Sequence, residues 1–201
     1  MRAVLRAAAA AVLLPFAASP ASAHIVSSRF GDFYAGAIHP LTGLADVVLW
    51  LALGLLAGLQ PARTGRWLLP VFPLGLLAGF GTGLWAGTDA VRPVVDAGGM
   101  VVLGGLAALA LRLPVPVLAA VGLLLGVLRG AANSSGLGTD GNPVLFGAGL
   151  AVAGYVCMAL VVAATVAFRG AGAPWRTVAL RAGGSWIAAI GLMAGSFALA
   201  G

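Results

Sequence analysis

The sequence predicts an all-α, polytopic membrane bundle of about six transmembrane helices behind a cleaved export signal. Three observations carry that expectation. Apolar residues fill 61% of the 201 positions and charged ones only 8%, a balance that leaves too little polar surface to cover a water-facing globule. The apolar residues run in stretches close to the ~20 that a helix needs to cross the hydrocarbon core. The N-terminus has the order basic, apolar, small that marks a signal peptide.

That signal reads as residues 1–23: Arg2 and Arg6, the apolar Ala7 to Ala17, then Ser19-Pro20 and Ala21-Ser22-Ala23. Cleavage after Ala23 leaves His24 as the first residue of a mature domain, residues 24–201, on the outer side of the membrane. Six hydrophobic stretches follow, at 38–59, 67–87, 94–111, 113–128, 144–168 and 182–200. The third and fourth are separated only by Arg112, with Pro114 and Pro116 just beyond. Together they are nearly twice one crossing, so a tight helical hairpin is expected there. Between the fourth and fifth stretches, Asn133-Ser134-Ser135-Gly136 and Asp140-Gly141-Asn142-Pro143 are turn formers. The 31 glycines allow helix backbones to approach closely in a bundle, with Gly98 and Gly104 among the positions expected to pack.

Charge sets the orientation. All basic residues are arginine and all acidic ones aspartate, for a net +6. With the mature N-terminus outside, Arg63, Arg66, Arg112, Arg169, Arg176 and Arg181 fall in inner loops that hold no aspartate, whereas Arg29, Arg92 and Arg129 share the outer segments with Asp32, Asp89 and Asp140. This is the positive-inside pattern of a multi-pass protein of the bacterial inner membrane. The arginines form no basic stripe with interleaved aromatics, so a nucleic-acid partner is not expected. The lone Cys157 excludes an internal disulfide, and with Met158 it reads as core packing.

No phosphate-binding glycine loop, zinc-protease helix or nucleophile elbow is present, and the chain is not expected to be an enzyme. What remains are ionisable groups at membrane depth, which are costly to insert and point to function. Asp46 lies in the first stretch with no partner near it in sequence; His39 precedes it by seven residues, which on a continuous helix would put both on nearly one face. Asp96 opens the third stretch, with Arg92 four residues before it and Arg129 at the same side. His24, as a mature N-terminus, would present an amine and an imidazole together, a chelate suited to copper or nickel.

Several segments resemble the HupE/UreJ hydrogenase and urease accessory proteins, viewed as nickel or cobalt permeases: the Ala-Ser-Ala-His end of the signal, Gly36-Ala37-Ile38-His39-Pro40-Leu41-Thr42-Gly43-Leu44, Gly54-Leu55, Val95-Asp96-Ala97-Gly98, Leu111-Arg112-Leu113-Pro114 and Arg181-Ala182-Gly183-Gly184. The chain departs from the family pattern in its polar residues. Ala45-Asp46 stands where the family has Asp-His, Asp96 where it has Glu, and Arg129-Gly130-Ala131-Ala132-Asn133 where it has His-Gly-x-x-His; a family histidine in the fifth stretch corresponds to a position near Met158. The resemblance implies a permease-like protein that binds or moves a divalent transition metal, nickel or cobalt, near the outer face, with His39, Asp46, Asp96 and His24 as candidate metal contacts and no permanently bound cofactor. Copper binding through His24 is one alternative. Another is a non-transporting accessory subunit, with a membrane complex or a second copy as partner in the bilayer.

Overall fold

In a computed structural model the described residues are 23–86, 93–170 and 174–200, with side chains described from Gly31 onward. Residues 1–22 of the expected signal, residues 1–23, therefore lie outside them, as do Asp89, Arg92 and the side chain of His24. The chain divides into a unit of residues 1–31 and one of residues 32–201. The helix beginning at Ala23 supplies the described part of the first; its later turns and the helices after it make up the second.

The described residues are helical, without strands. In order they form α1 (Ala23–Thr42), α2 (Leu44–Leu59), the one-turn α3 (Ala62–Gly65), α4 (Leu68–Ala86), α5 (Pro93–Leu109), α6 (Val115–Asn133) with a 3₁₀ turn at Ser134–Gly136, α7 (Pro143–Arg169) and α8 (Pro174–Ala200). Among the described residues, each of the six apolar stretches of the sequence is mostly helical. Four helical segments are long and apolar enough to cross a membrane: Ala62–Ala86, Val115–Gly136, Pro143–Arg169 and Pro174–Ala200. The bent pair Gly31–Thr42 and Leu44–Leu59 makes a fifth if counted as one span, and α5 is a shorter apolar helix.

The first stretch is not the continuous helix that the spacing of His39 and Asp46 assumes. α1 and α2 meet at 82°, with Gly43 extended at φ −92°, ψ 117° as the N-cap of α2. The cause is local. Pro40 offers no amide hydrogen to the last turn of α1, and the Thr42 hydroxyl donates to the His39 carbonyl at 2.7 Å, which closes that turn before the chain redirects. The bend thus falls three residues after the proline, and His39 and Asp46 belong to two helices rather than to one face.

The polar ends of the elements follow from sequence. Asn142 caps α7 by accepting from the amides of Val144 and Leu145 at 3.0 and 3.1 Å, with Pro143 at the first helical position. At the opposite end of the bundle, Arg169 donates to the Leu59 carbonyl at 3.1 Å and Arg181 to that of Ala108 at 2.7 Å, placing cations on the C-termini of α2 and α5. Gln60, 2% exposed, donates to the carbonyls of Leu56 and Leu111 and accepts from the amide of Leu113 at 2.9 Å. Its amide fixes the short turn between α5 and α6, a role that nothing in the residue spacing signals. In that turn Ala110 takes φ 50°, and the amides of Ala110 and Leu111 donate to Ala107 and Leu106, which is the paired hydrogen bonding of a Schellman end without its usual glycine.

α5 and α6 are consecutive, but the expected hairpin is not a packed pair. α6 packs most closely on α4, and α5 on α8; α2 lies against α7 and α5, and α7 against α4. Glycine permits the two close pairings. A methyl at Gly126 would meet the Phe72 carbonyl of α4 at 2.7 Å, and one at Gly104 would meet the Gly184 carbonyl of α8 at 2.6 Å. Gly98, expected to pack in the same way, has open space at its Cβ position. It lines instead an apolar groove of about 260 Å³ between α5 and α6, with Val102, Leu103, Val121, Leu125 and Leu128. The core that joins the helices is formed by buried side chains such as Leu49, Leu53, Phe72, Leu76, Phe146 and Leu150.

Two outcomes are expected from thermal or denaturant unfolding in detergent. Gly104→Ala destabilises by about 1–3 kcal/mol through overpacking, whereas Gly98→Ala, which adds a methyl to an open position on a helix, is neutral or stabilises by up to about 1 kcal/mol. Equal losses in both would show that Gly104 is not a crossing point. Ala110→Gly relieves a left-handed residue and raises stability by about 1 kcal/mol; a lower midpoint would contradict the assigned turn.

Candidate functional site

The first turn of α2 carries Asp46 and the first turn of α5 carries Asp96, so each carboxylate lies at the positive end of a helix dipole. α6 arrives at the same end of the bundle from the other direction. It continues one turn past Leu128, where the hydrophobic stretch was expected to stop, and this places Arg129 inside the helix and Asn133 four residues later on the same face.

Arg129 reaches both carboxylates. Its Nε and Nη2 donate to the two oxygens of Asp46 at 2.8 Å each, and its Nη1 donates to Oδ1 of Asp96. Asn133 completes the cluster: its Nδ2 donates to Asp46 Oδ1 at 3.1 Å and to the carbonyl of Arg129 at 2.8 Å. The residues are deeply placed, with Asp46 at 5%, Arg129 at 6% and Asn133 at 2% exposure. An isolated arginine at this depth would be expensive. Here the fork geometry of the guanidinium matches the Asp46 carboxylate edge-on and leaves a third donor for Asp96. Asp46, which has no partner near it in sequence, is thus the most fully partnered aspartate in the described cluster. Asp96 pairs with Arg129; Arg92, the nearer arginine in sequence, lies outside the described residues.

One polar atom of the cluster is unpaired. Among the described residues, Asn133 Oδ1 and Trp50 Nε1 are buried without a hydrogen-bond partner. Both neighbours of Asn133 Nδ2 are acceptors, so the amide orientation is fixed by chemistry and its oxygen must be the free atom.

His39 lies at the same end of the bundle. Its ring is partly buried, 6.1 Å from that of Phe146 between centroids, and lies against Gly136, where an added methyl would sit 2.6 Å from Nε2. The structure therefore brings Asp46 and Asp96 together through Arg129 and sets His39 against the 3₁₀ turn that follows Asn133. Among the described residues, no three His, Cys, Asp or Glu side chains gather as a metal-binding group. Met158 is buried in the core and Cys157 packs against it, as their apolar setting implies. The sequence places Arg129 on the same side as Asp96 but not with Asp46, and Asn133 is a site member that it does not single out. Their signal was present as an i, i+4 polar pair ending an apolar run, but no spacing rule says which distant carboxylate such a pair will meet.

The contribution of the cluster to stability is open to direct measurement. Asp46→Asn leaves a buried guanidinium without its bidentate partner and is expected to destabilise the bundle by about 3–5 kcal/mol, read as the shift in unfolding midpoint in detergent. A loss below about 1 kcal/mol would mean that water reaches the pair and that it is not buried as described.

Four of the positions at which the sequence departs from the pattern it resembles, 46, 96, 129 and 133, meet at this cluster, whereas Met158 lies in the apolar core. No curated protein and no solved structure matches the chain. The family model described as HupE / UreJ protein matches residues 11–194, nearly the whole sequence. The chain accordingly belongs to the HupE/UreJ family, and that membership, with its apolar helices, fits a membrane metal-transport or accessory role.

Proposed function

We propose that the protein is a permease-like accessory protein that receives a divalent transition metal, nickel or cobalt, at the outer face of a bacterial inner membrane, with His39 as the first donor the ion meets. The observation that carries this reading is the partly accessible imidazole of His39 at the end of the bundle that also holds Asp46 and Asp96. Imidazole suits nickel and cobalt, whereas carboxylate and amide oxygens alone favour harder ions.

In this reading all six apolar stretches cross the bilayer. The bent α1–α2 pair is the first, and α5 the third. α5, at 17 residues, rises only about 25 Å, which a local thinning of the bilayer accommodates. The His39 end faces outward and the end carrying Arg169, Arg176 and Arg181 inward, as the loop charges require. Signal cleavage after Ala23 would add the amine and imidazole of His24 as a second outer donor, with copper as its preferred ion. Reception and transfer to a partner are favoured over free conduction, because an ion moving past Asp46 would have to displace a guanidinium from both of its oxygens. The protein carries no catalytic step in this scheme, and its partner is a membrane complex or a second copy.

The test is nickel and cobalt affinity of the detergent-purified protein, in wild type, in His39→Ala and in a form extended ahead of His24. His39→Ala is expected to weaken binding by about 10–100-fold, the scale on which metal sites respond to loss of a supporting group. Unchanged affinity in that variant, or no specific binding by the wild type, would remove the reading; loss confined to the extended form would move the site to His24.

A further inference from the structure

We infer that the groove between the start of α4 and the middle of α7 is a binding site for an anionic phospholipid, with the lipid phosphate at Arg66 and one acyl chain along Leu69, Pro70 and Tyr155. The inference does not rest on the role of His39 or on which end of the bundle faces inward.

The shape of the groove is the first ground. Arg66, Trp67, Leu69, Pro70 and Tyr155 line an open groove of about 420 Å³. Tyr155 lies about 21 Å along α7 from Arg169 at its C-terminus, so the groove extends from the turn before α4 toward the middle of the bilayer. Its lining is graded in the same direction. A guanidinium and an indole, the latter 46% exposed, lie at one end, where an indole matches the interfacial belt of membrane proteins. Leu69 and Pro70 continue it as apolar wall. A phospholipid has the same grading, a charged head followed by a hydrocarbon tail.

Charge is the second ground. Arg63, Arg66, Arg112, Arg169, Arg176 and Arg181 lie in the segments at this end of the bundle, and no aspartate does. Three of the six are engaged within the protein: Arg169 and Arg181 hold helix-end carbonyls, and the Arg176 guanidinium lies over the rings of Phe168 and Trp175. Arg66 is exposed and lines the groove, while the aspartates that form ion pairs among the described residues, Asp46 and Asp96, are at the other end. The anion that complements Arg66 therefore comes from outside the chain. In a bilayer the abundant one is a lipid phosphate, and basic pockets between membrane helices are where anionic headgroups bind. A zwitterionic lipid brings its own cation to the same phosphate and gains less from the arginine.

The position of Arg66 is also fixed in advance. The amides of Thr64 and Gly65 donate to the Pro61 carbonyl at 2.8 and 3.0 Å, and that of Trp67 to Thr64 at 3.2 Å. Gly65 lies so close to α2 that an added methyl would collide with the Ala57 carbonyl. The turn is thus pinned to the bundle, and a lipid binding there has no loop to order.

The test is native mass spectrometry of the detergent-purified full-length protein, titrated with palmitoyl-oleoyl phosphatidylglycerol or with the phosphatidylcholine of the same chains. Wild type, Arg66→Gln, Arg66→Lys and, as a control at the same end but off the groove, Arg112→Gln are compared. Wild type is expected to bind the glycerol lipid about fivefold more tightly than the choline lipid, the effect of one arginine's charge at a membrane surface. Arg66→Gln should lose that preference, and Arg66→Lys and Arg112→Gln should keep it. Equal affinities for the two lipids in wild type overturn the inference without any variant. So does a preference that survives in Arg66→Gln, or one that Arg112→Gln lowers as much, which would show only the general attraction of a basic surface.

Discussion

The ion pair from Arg129 to Asp46 and Asp96 is the interaction on which this bundle depends, because it joins helices that apolar packing leaves apart. α6 lies chiefly on α4, and α5 chiefly on α8, with an apolar groove between α5 and α6. At one end of that groove the guanidinium spans from α6 to α5 and, through Asp46, to α2. Lipid tails are as apolar as leucine, so burying more leucine would add little drive for association. A charge-assisted hydrogen bond in the same place has no comparable alternative partner in the hydrocarbon, and this makes a three-helix link out of three side chains.

The opposite end solves a related problem with different groups. Helices that end inside or near the bilayer leave carbonyls without partners. Arg169 and Arg181 each reach across to a helix other than their own, and Gln60 holds the α5–α6 turn with both ends of its amide. Two of the arginines between the apolar stretches therefore also serve as caps. Between these two polar ends the helices approach through glycine, and the difference between Gly104 at a crossing and Gly98 on the groove shows that glycine content alone does not locate an interface.

Membership of a metal-handling family and an arginine-filled polar cluster are compatible if the two functions are separated in space. His39 keeps an imidazole partly exposed beside the 3₁₀ turn after α6, while the carboxylates behind it are neutralised from within the protein. The aspartates at 46 and 96, the arginine at 129 and the asparagine at 133 form one connected cluster through Arg129 and Asp46. Asp46, Arg129 and Asn133 are buried, and each takes its hydrogen-bond partners from the others.

The sequence by itself determined the helical membrane character, the six apolar stretches, the capping signal at Asn142-Pro143 and the family, since each depends on local composition, periodicity or an ordered string of residues. It also singled out Asp46, Asp96 and His39, because an ionisable group in an apolar run is conspicuous without any structure. Two features were decided only by tertiary structure: the extra turn of α6 that carries Arg129 and Asn133 into the bundle, and the pairing of Arg129 with carboxylates 83 and 33 residues away; the break at Gly43 has local causes in Pro40 and Thr42 that residue spacing alone did not reveal. The reason is physical. A buried charge takes whichever opposite charge the packing brings within hydrogen-bonding reach, and that is not written in the spacing along one chain.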